Sequence, residues 1–187
     1  MPQATALIVE VPEAEPTIRR WRAELDAFAA VDVPAHITIL SPFATEDRID
    51  EQALSALRVL FASVAPFSFS LERIGWFDDT VVWLAPQPDA QFRTLTGLVV
   101  DAFPAYRPYG GEFGDPIPHL TIGFDRPFEQ LDHAARQVQP RLPIRCTTAE
   151  VALWTQLSTG RWRRAISFPL ASERAARRGK PRPKIDP

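Results

Sequence analysis

His36-Ile37-Thr38-Ile39 and His119-Leu120-Thr121-Ile122 are two copies of one tetrapeptide pattern, each set inside a stretch that repeats the same order of elements. A chain built this way folds as two like lobes about a pseudo-twofold axis, with the two motif strands side by side and facing one cleft. In the first stretch, residues 5–11 read as a strand, and residues 15–29 carry Ile18, Trp21, Leu25 and Phe28 at helical spacings of 3, 4 and 3. The motif strand 36–40 follows. Thr45 then caps a helix with Glu46 and Asp47 in its first turn and Ile49, Ala53, Leu57, Leu60 and Val64 inside. Phe67, Phe69 and Leu71 alternate into a further strand. The second stretch repeats the order: strand 80–85, helix 89–103, motif strand 119–124, a short helix over 128–138, strand 148–157.

First strands are offset by 75 residues, first helices by 74 and the motif histidines by 83, so the excess falls at one place, the loop 106–118. A last strand, 161–170, pairs with its predecessor through Ser158-Thr159-Gly160. Buried strands do not alternate regularly with helices, which favours an α+β fold over a doubly wound sheet. The expected fold is bilobal and duplicated, with two antiparallel sheets flanked by helices and a central cleft lined by the two HxT motif strands. It forms one domain over residues 1–170, from repeats of about 1–78 and 79–170. The basic, proline-containing stretch 171–187 reads as a disordered tail.

On a strand, alternation puts His36 and Thr38 on one face and Ile37 and Ile39 on the other; the same holds for His119 and Thr121. The two motifs hold two of the chain's three histidines. Two imidazoles at one cleft suit a reaction that takes a proton from a nucleophile and gives one to a leaving group, each step worth about 10² to 10⁴ in rate. One must be neutral and the other charged, which environment alone arranges near pH 7. The threonine hydroxyls are short donors for the non-bridging oxygens of a tetrahedral or pentacoordinate anion. Phosphoester cleavage fits this set. The plain alternative, histidines satisfied within strands and threonines as β-formers, does not account for the recurrence at equivalent places.

With the motif strand followed by Ser41-Pro42-Phe43, the second motif by Gly123, and the near eighty-residue spacing, the chain resembles the two-histidine (2H) phosphoesterase superfamily, most closely its 2'-5' RNA ligase-like bacterial branch. The resemblance covers roughly residues 1–170. It implies a bilobal fold with both motifs in a central cleft and metal-independent opening of 2',3'-cyclic or related cyclic phosphodiesters. It also makes His36 the proton donor and His119 the acceptor toward water, with Thr38 and Thr121 holding the phosphate. Ligation in the reverse direction would exchange these roles; it and a non-catalytic nucleotide- or RNA-binding module are the alternative readings. Relatives that act on RNA ends carry a basic residue soon after the second motif, whereas here Gly123-Phe124-Asp125 precede Arg126. That favours a small nucleotide cyclic phosphate over an RNA end.

Charge points the same way. Residues 172–187 carry six Lys or Arg and two acids, a local +4 that leaves −6 on the rest of a chain of net charge −2, a poor footprint for long nucleic acid. The single cysteine, Cys146, excludes an internal disulfide and cannot alone hold zinc. The opening MPQATALIVEV lacks the basic region of a signal peptide, and no apolar run reaches transmembrane length. A cytoplasmic, monomeric protein with no metal, cofactor or membrane partner is expected. Further substrate contacts are expected from Phe43, from Arg107 with Tyr109 or Phe113 in the loop before His119, and from Arg164 among the hairpin arginines Arg161, Arg163 and Arg164. His133 reads as a surface residue, the five tryptophans as core or rim, and Cys146 as unreactive.

Overall fold

The structure is a computed structural model and describes residues 3–112, 114 and 116–171. Its strands are β1 (Thr5–Glu10), β2 (His36–Leu40), β3 (Phe67–Phe77), β4 (Val81–Gln87), β5 (Leu120–Phe124), β6 (Ile144–Thr148), β7 (Glu150–Gln156) and β8 (Trp162–Pro169). Four helices accompany them: α1 (Glu15–Leu25), α2 (Glu51–Phe61), α3 (Ala90–Ala102) and α4 (Phe128–Val138). The strands form two antiparallel four-stranded sheets, ordered β2-β1-β7-β8 and β5-β4-β3-β6. This is the expected α+β architecture. In each sheet a motif strand occupies one edge and pairs with the first strand of its own stretch. β3 enters the second sheet, while β7 and β8 return to the first.

The expected strand 148–157 is β7, except that Thr148 ends a separate strand, β6, which the sequence reading does not include. Residues up to Thr148 pair with β3 in the second sheet, and from Glu150 the chain joins the first sheet, pairing with β8 and, from Ala152, with β1. Arg145, Cys146 and Thr147 alternate exposed, buried and exposed, a period-two signal that belongs to β6. Helix ends also differ from expectation. α1 stops at Leu25 because Asp26 turns to extended backbone and its carboxylate accepts the Phe28 N–H at 2.9 Å. Residues 46–48 make only a 3₁₀ turn, and the cap of α2 is Asp50, not Thr45; its carboxylate accepts the Ala53 N–H at 2.8 Å.

One hydrophobic core joins the helices to the inner faces of both sheets. Ile37, Ile39, Leu120 and Ile122 are at most 2% exposed, and each contributes about 1.5–3 kcal/mol by burial. A one-residue slip of either motif strand would expose them, so the core itself holds the histidines and threonines on the opposite face. Each motif strand is backed by a helix from the other stretch. α1 lies against β5, so closely that a Cβ on Gly123 would sit 2.6 Å from Leu25 Cβ. α3 lies against β2, where Thr96 Oγ1 donates to the Ile39 carbonyl at 3.0 Å. Among the described residues no helix is long and apolar enough to cross a membrane.

Candidate active site

Burial along the motifs alternates as their sequence requires: His36 and Thr38 are half-buried around a buried Ile37, and His119 and Thr121 around a buried Leu120. His119 stands immediately before β5 rather than inside it. Both rings make the same contact. His36 Nδ1 lies 2.8 Å from the Pro34 carbonyl and His119 Nδ1 lies 2.7 Å from the Ile117 carbonyl, in each case two residues back. A carbonyl only accepts, so Nδ1 carries the proton in both rings and Nε2 is left for chemistry. Burial pushes the His36 pKa down from 6.5 to about 4, with Arg22 and His119 adding to the effect and the Pro34 carbonyl and Asp26 opposing it. Burial also lowers His119, against the bond to Ile117. The charge on one imidazole therefore disfavours charge on the other, and in the free protein both are neutral near pH 7.

The surroundings of the two rings differ. Cross-strand pairing puts Glu10 opposite His36 and Ile8 opposite Thr38, and continues the same face through Ala152 and Trp154 of β7 to Arg164 of β8. Trp154 Nε1 donates to Glu10 Oε1 at 2.9 Å, Arg164 Nε lies 3.4 Å from the same oxygen, and the Arg164 guanidinium also pairs with Glu150. Three charged side chains, Glu10, Glu150 and Arg164, thus line this wall beside a small apolar cluster of Ala6, Ile8, Val33, Ala152 and Trp154. Beside His119 the wall is aromatic. Thr121 stands opposite Trp83, and Trp83 opposite Gly75. The Phe77 ring meets the imidazole edge-on at 4.9 Å, and Trp83 lies 5.8 Å from it. A Cβ on Gly75 would fall 2.3 Å from the Trp83 ring, so only glycine leaves room for the indole to lie there.

The other sequence-derived candidates are dispersed. Phe43 is a core residue at 4% exposure, packed edge-on against Phe103 and Tyr106, which takes it out of the list of substrate contacts. Arg107 is exposed and lines a cavity of about 300 Å³ with Arg93, Thr96 and Val100 of α3, a cavity that neither histidine lines. Tyr109 is half-buried at a left-handed φ of 53°; its N–H donates to the Ser41 carbonyl at 2.8 Å, and burial raises its phenol pKa. Arg164 lies on the His36 face with its charge shared by two carboxylates, while Arg161 pairs with Asp32 and Arg163 with Glu46. Phe113 and residues 172–187 lie outside the described residues. His133 is exposed and touches Trp21, and burial pushes the Cys146 thiol up to about 12, so neither joins the chemistry.

Sequence reading missed the second layer: Glu10, Phe77, Trp83 and Trp154 around the rings, and Arg22 and Asp26 behind His36. The only advance signal was the tryptophans' position on motif-facing strands, which core packing explains equally well. Among the described residues no group of three or more His, Cys, Asp or Glu side chains is placed to hold a metal ion.

A family model described as the 2'-5' RNA ligase superfamily matches residues 10–160. A protein of Halalkalibacterium halodurans, BH1439, which carries the provisional name of a phosphoesterase, is 23% identical over 145 residues, 75% of this chain and 82% of that protein. Among solved structures, Escherichia coli LigT in apo form has a TM-score of 0.55 at 23% identity, covering 92% of this chain and 99% of LigT. LigT complexed with 3'-AMP has a TM-score of 0.55 at 20% identity over 92% of this chain and 100% of that one. TT0787 of Thermus thermophilus has a TM-score of 0.55 at 18% identity over 91% and 99% of the two chains. At these identities the structural likeness is one of fold.

Proposed function

The chain belongs to the 2'-5' RNA ligase superfamily, and from that membership together with the paired imidazoles we propose that it is a 2H-type phosphodiesterase that opens 2',3'-cyclic or related cyclic phosphodiesters of nucleotides. The observation that carries this reading is the matched contact of both rings, Nδ1 to the carbonyl two residues back, which leaves two Nε2 atoms for proton transfer. In this mechanism Thr38 and Thr121 donate to the non-bridging oxygens. His119 Nε2 takes a proton from water as its oxygen attacks phosphorus. His36 Nε2 gives its proton to the ester oxygen that leaves, and the products are a monoester and a free hydroxyl. With burial holding His36 near 4, its proton arrives with the substrate: the phosphodiester's negative charge raises the pKa of the ring beside it. Escherichia coli LigT has been crystallised with 3'-AMP, ATP and phosphate, which supports a nucleotide as the ligand class.

The test is incubation in EDTA with 2',3'-cyclic mononucleotides, a cyclic-phosphate-ended oligonucleotide and ADP-ribose 1'',2''-cyclic phosphate, resolving products by mass and by 2' or 3' position. One of these is expected to turn over, with His36→Ala and His119→Ala each lowering kcat/KM by about 10³ or more while the fold survives. Full activity in either variant, or no turnover of any substrate in the panel, overturns the reading.

A further inference from the structure

Arg22 is the most buried cation of the described chain at 3% exposure, and Asp26, one helical turn on, is 4% exposed. Burying a charge pair is costly, and hydrophobic residues would stabilise a helix end better, so a pair retained here calls for a local use. Its contacts supply one. Arg22 Nε donates to Asp26 Oδ2 at 2.8 Å, Nη2 lies 2.7 Å from the same oxygen, and Nη2 donates to the Val33 carbonyl at 3.1 Å. Arg22 Nη1 lies 3.9 Å from Glu15 Oε1, and that same oxygen accepts the Ala35 N–H at 2.8 Å. Asp26 Oδ1 accepts the Phe28 N–H at 2.9 Å, and the Phe28 carbonyl accepts the Val33 N–H at 3.0 Å. The Ala35 carbonyl accepts the Val11 N–H at 2.8 Å.

Every backbone polar group of residues 33–35 is thereby used, and the one carbonyl left to a side chain of the motif is that of Pro34, which takes the Nδ1 proton of His36. We propose that Arg22 and Asp26 are positioning residues for His36: the buried pair fixes the 33–35 segment so that the Pro34 carbonyl holds the imidazole in one tautomer and one orientation, with Nε2 presented to the substrate. This rests on His36 acting in the proposed reaction. Among the described residues, the second motif shows no buried pair bonded to the segment before its histidine. The Ile117 carbonyl receives His119 in the same way, but among the described residues no other side chain bonds to the backbone of 116–118, and the ring is steadied by Phe77 and Trp83 instead.

Other charged or titratable groups on the side of His36 are Glu15 on α1, Glu10 opposite it on β1, Glu150 of β7 and Arg164 of β8 farther along the same sheet face, and His119. Of the pair, Arg22 disfavours the imidazolium and Asp26 favours it, so the two single changes should act in opposite directions on His36.

The experiment uses ¹⁵N-labelled full-length protein and long-range imidazole NMR, which needs no substrate, alongside kinetics on whichever cyclic phosphate is turned over. Wild type should show His36 as the Nδ1–H tautomer at neutral pH. Asp26→Asn, which keeps an acceptor for Phe28, should move the His36 titration to lower pH, and Arg22→Met should move it to higher pH and mix the tautomers. The double variant Arg22→Met/Asp26→Leu removes both charges together and keeps the core apolar; it should lower kcat about 10- to 100-fold with KM within about threefold. Arg22→Lys, which restores the charge but not the fork, should recover part of that loss. His36 ring signals and kcat unchanged in a folded double variant overturn the proposal. Turnover surviving His36→Ala would instead sink the catalytic reading, and the ring spectra would still decide whether Arg22 and Asp26 position the imidazole.

Discussion

The two motif histidines share sequence, burial and backbone contact, yet one stands in front of an ion pair and a charged wall and the other against aromatic rings. His36 has Arg22 and Asp26 behind it and faces the side of the sheet that carries Glu10, Glu150 and Arg164. His119 has Phe77 edge-on and Trp83 beside it. Repetition of a motif thus fixes what a cleft can do chemically, and divergence of its supports can give two identical groups different proton affinities. An acid and a base made from the same side chain require that difference.

If the two sides are catalytically equal despite unlike supports, the threonines should behave alike. Thr38→Val and Thr121→Val are each expected to lower kcat about 10- to 10³-fold, since each removes one hydroxyl from the developing phosphorane and leaves the strand in place. Steady-state kinetics decide the point. A loss confined to one variant would make one motif the phosphate holder and the other a proton donor alone; no loss in either would reduce both to strand formers.

The pH profile sharpens the comparison further. The pair works with one ring neutral and one charged, so activity is bell-shaped and falls about tenfold per pH unit outside the two pKa values. Burial lowers both rings in the free protein, His36 to about 4, which places the kcat/KM maximum on the acid side of 6.5. A bound phosphodiester anion raises both, so kcat should peak at a higher pH than kcat/KM. Coincident maxima above pH 7 would mean that the free rings are not held neutral by burial. Stability carries the same sign: the buried neutral His36 favours folding fully above about 6.5, and that contribution declines as pH falls toward 4, where the unfolded chain binds the proton first.

The motifs, their alternation and the two antiparallel sheets were legible because period-two burial is a local property of the strand. Strand exchange between the sheets was not. Residues 148–157 look continuous, and only the pairing of Thr148 with Phe67 and of Ala152 with Ile8 separates them. The Asp50 cap was missed because Thr45, Asp47 and Asp50 all carry capping side chains, and tertiary packing chose among them. Phe43 follows the first motif closely in sequence, yet three residues beyond β2 the chain has turned into the core. Arg22 reads in sequence as a polar position of a helix with basic neighbours, Arg19 and Arg20, both of which are exposed. Its burial depends on the turn at Asp26 and the return of Val33, contacts that no helical period encodes.

A milder perturbation acts on the aromatic side alone. Gly75→Ala would drive a methyl into the Trp83 ring, and overpacking of this kind costs about 1–3 kcal/mol. A lower thermal midpoint is expected together with a several-fold fall in kcat/KM, as the displaced indole disturbs His119. Gly97→Ala in α3, where an added Cβ meets nothing within 4 Å, is the matched control and should leave both unchanged or raise stability slightly. Destabilisation with full kcat/KM would show that the aromatic wall is packing and does not steady the imidazole.

The smallest effect is expected on the charged side. Arg164 is the arginine nearest in register to the His36 face, and a sequence reading makes it a phosphate ligand, but its guanidinium already meets Glu10 and Glu150 at 38% side-chain exposure. One positive charge between two negative ones leaves a net negative cluster, which attracts no phosphate unless both carboxylates are displaced. Half-exposed pairs of this type contribute about 0–1 kcal/mol, so Arg164→Met should change stability little and kcat/KM by less than about threefold. Arg22→Met should cost far more, because its removal leaves Asp26 buried without its partner. A loss of tenfold or more in Arg164→Met that vanishes at high salt would reverse the assignment and make the charged wall, not the buried pair behind His36, the feature that reads the substrate.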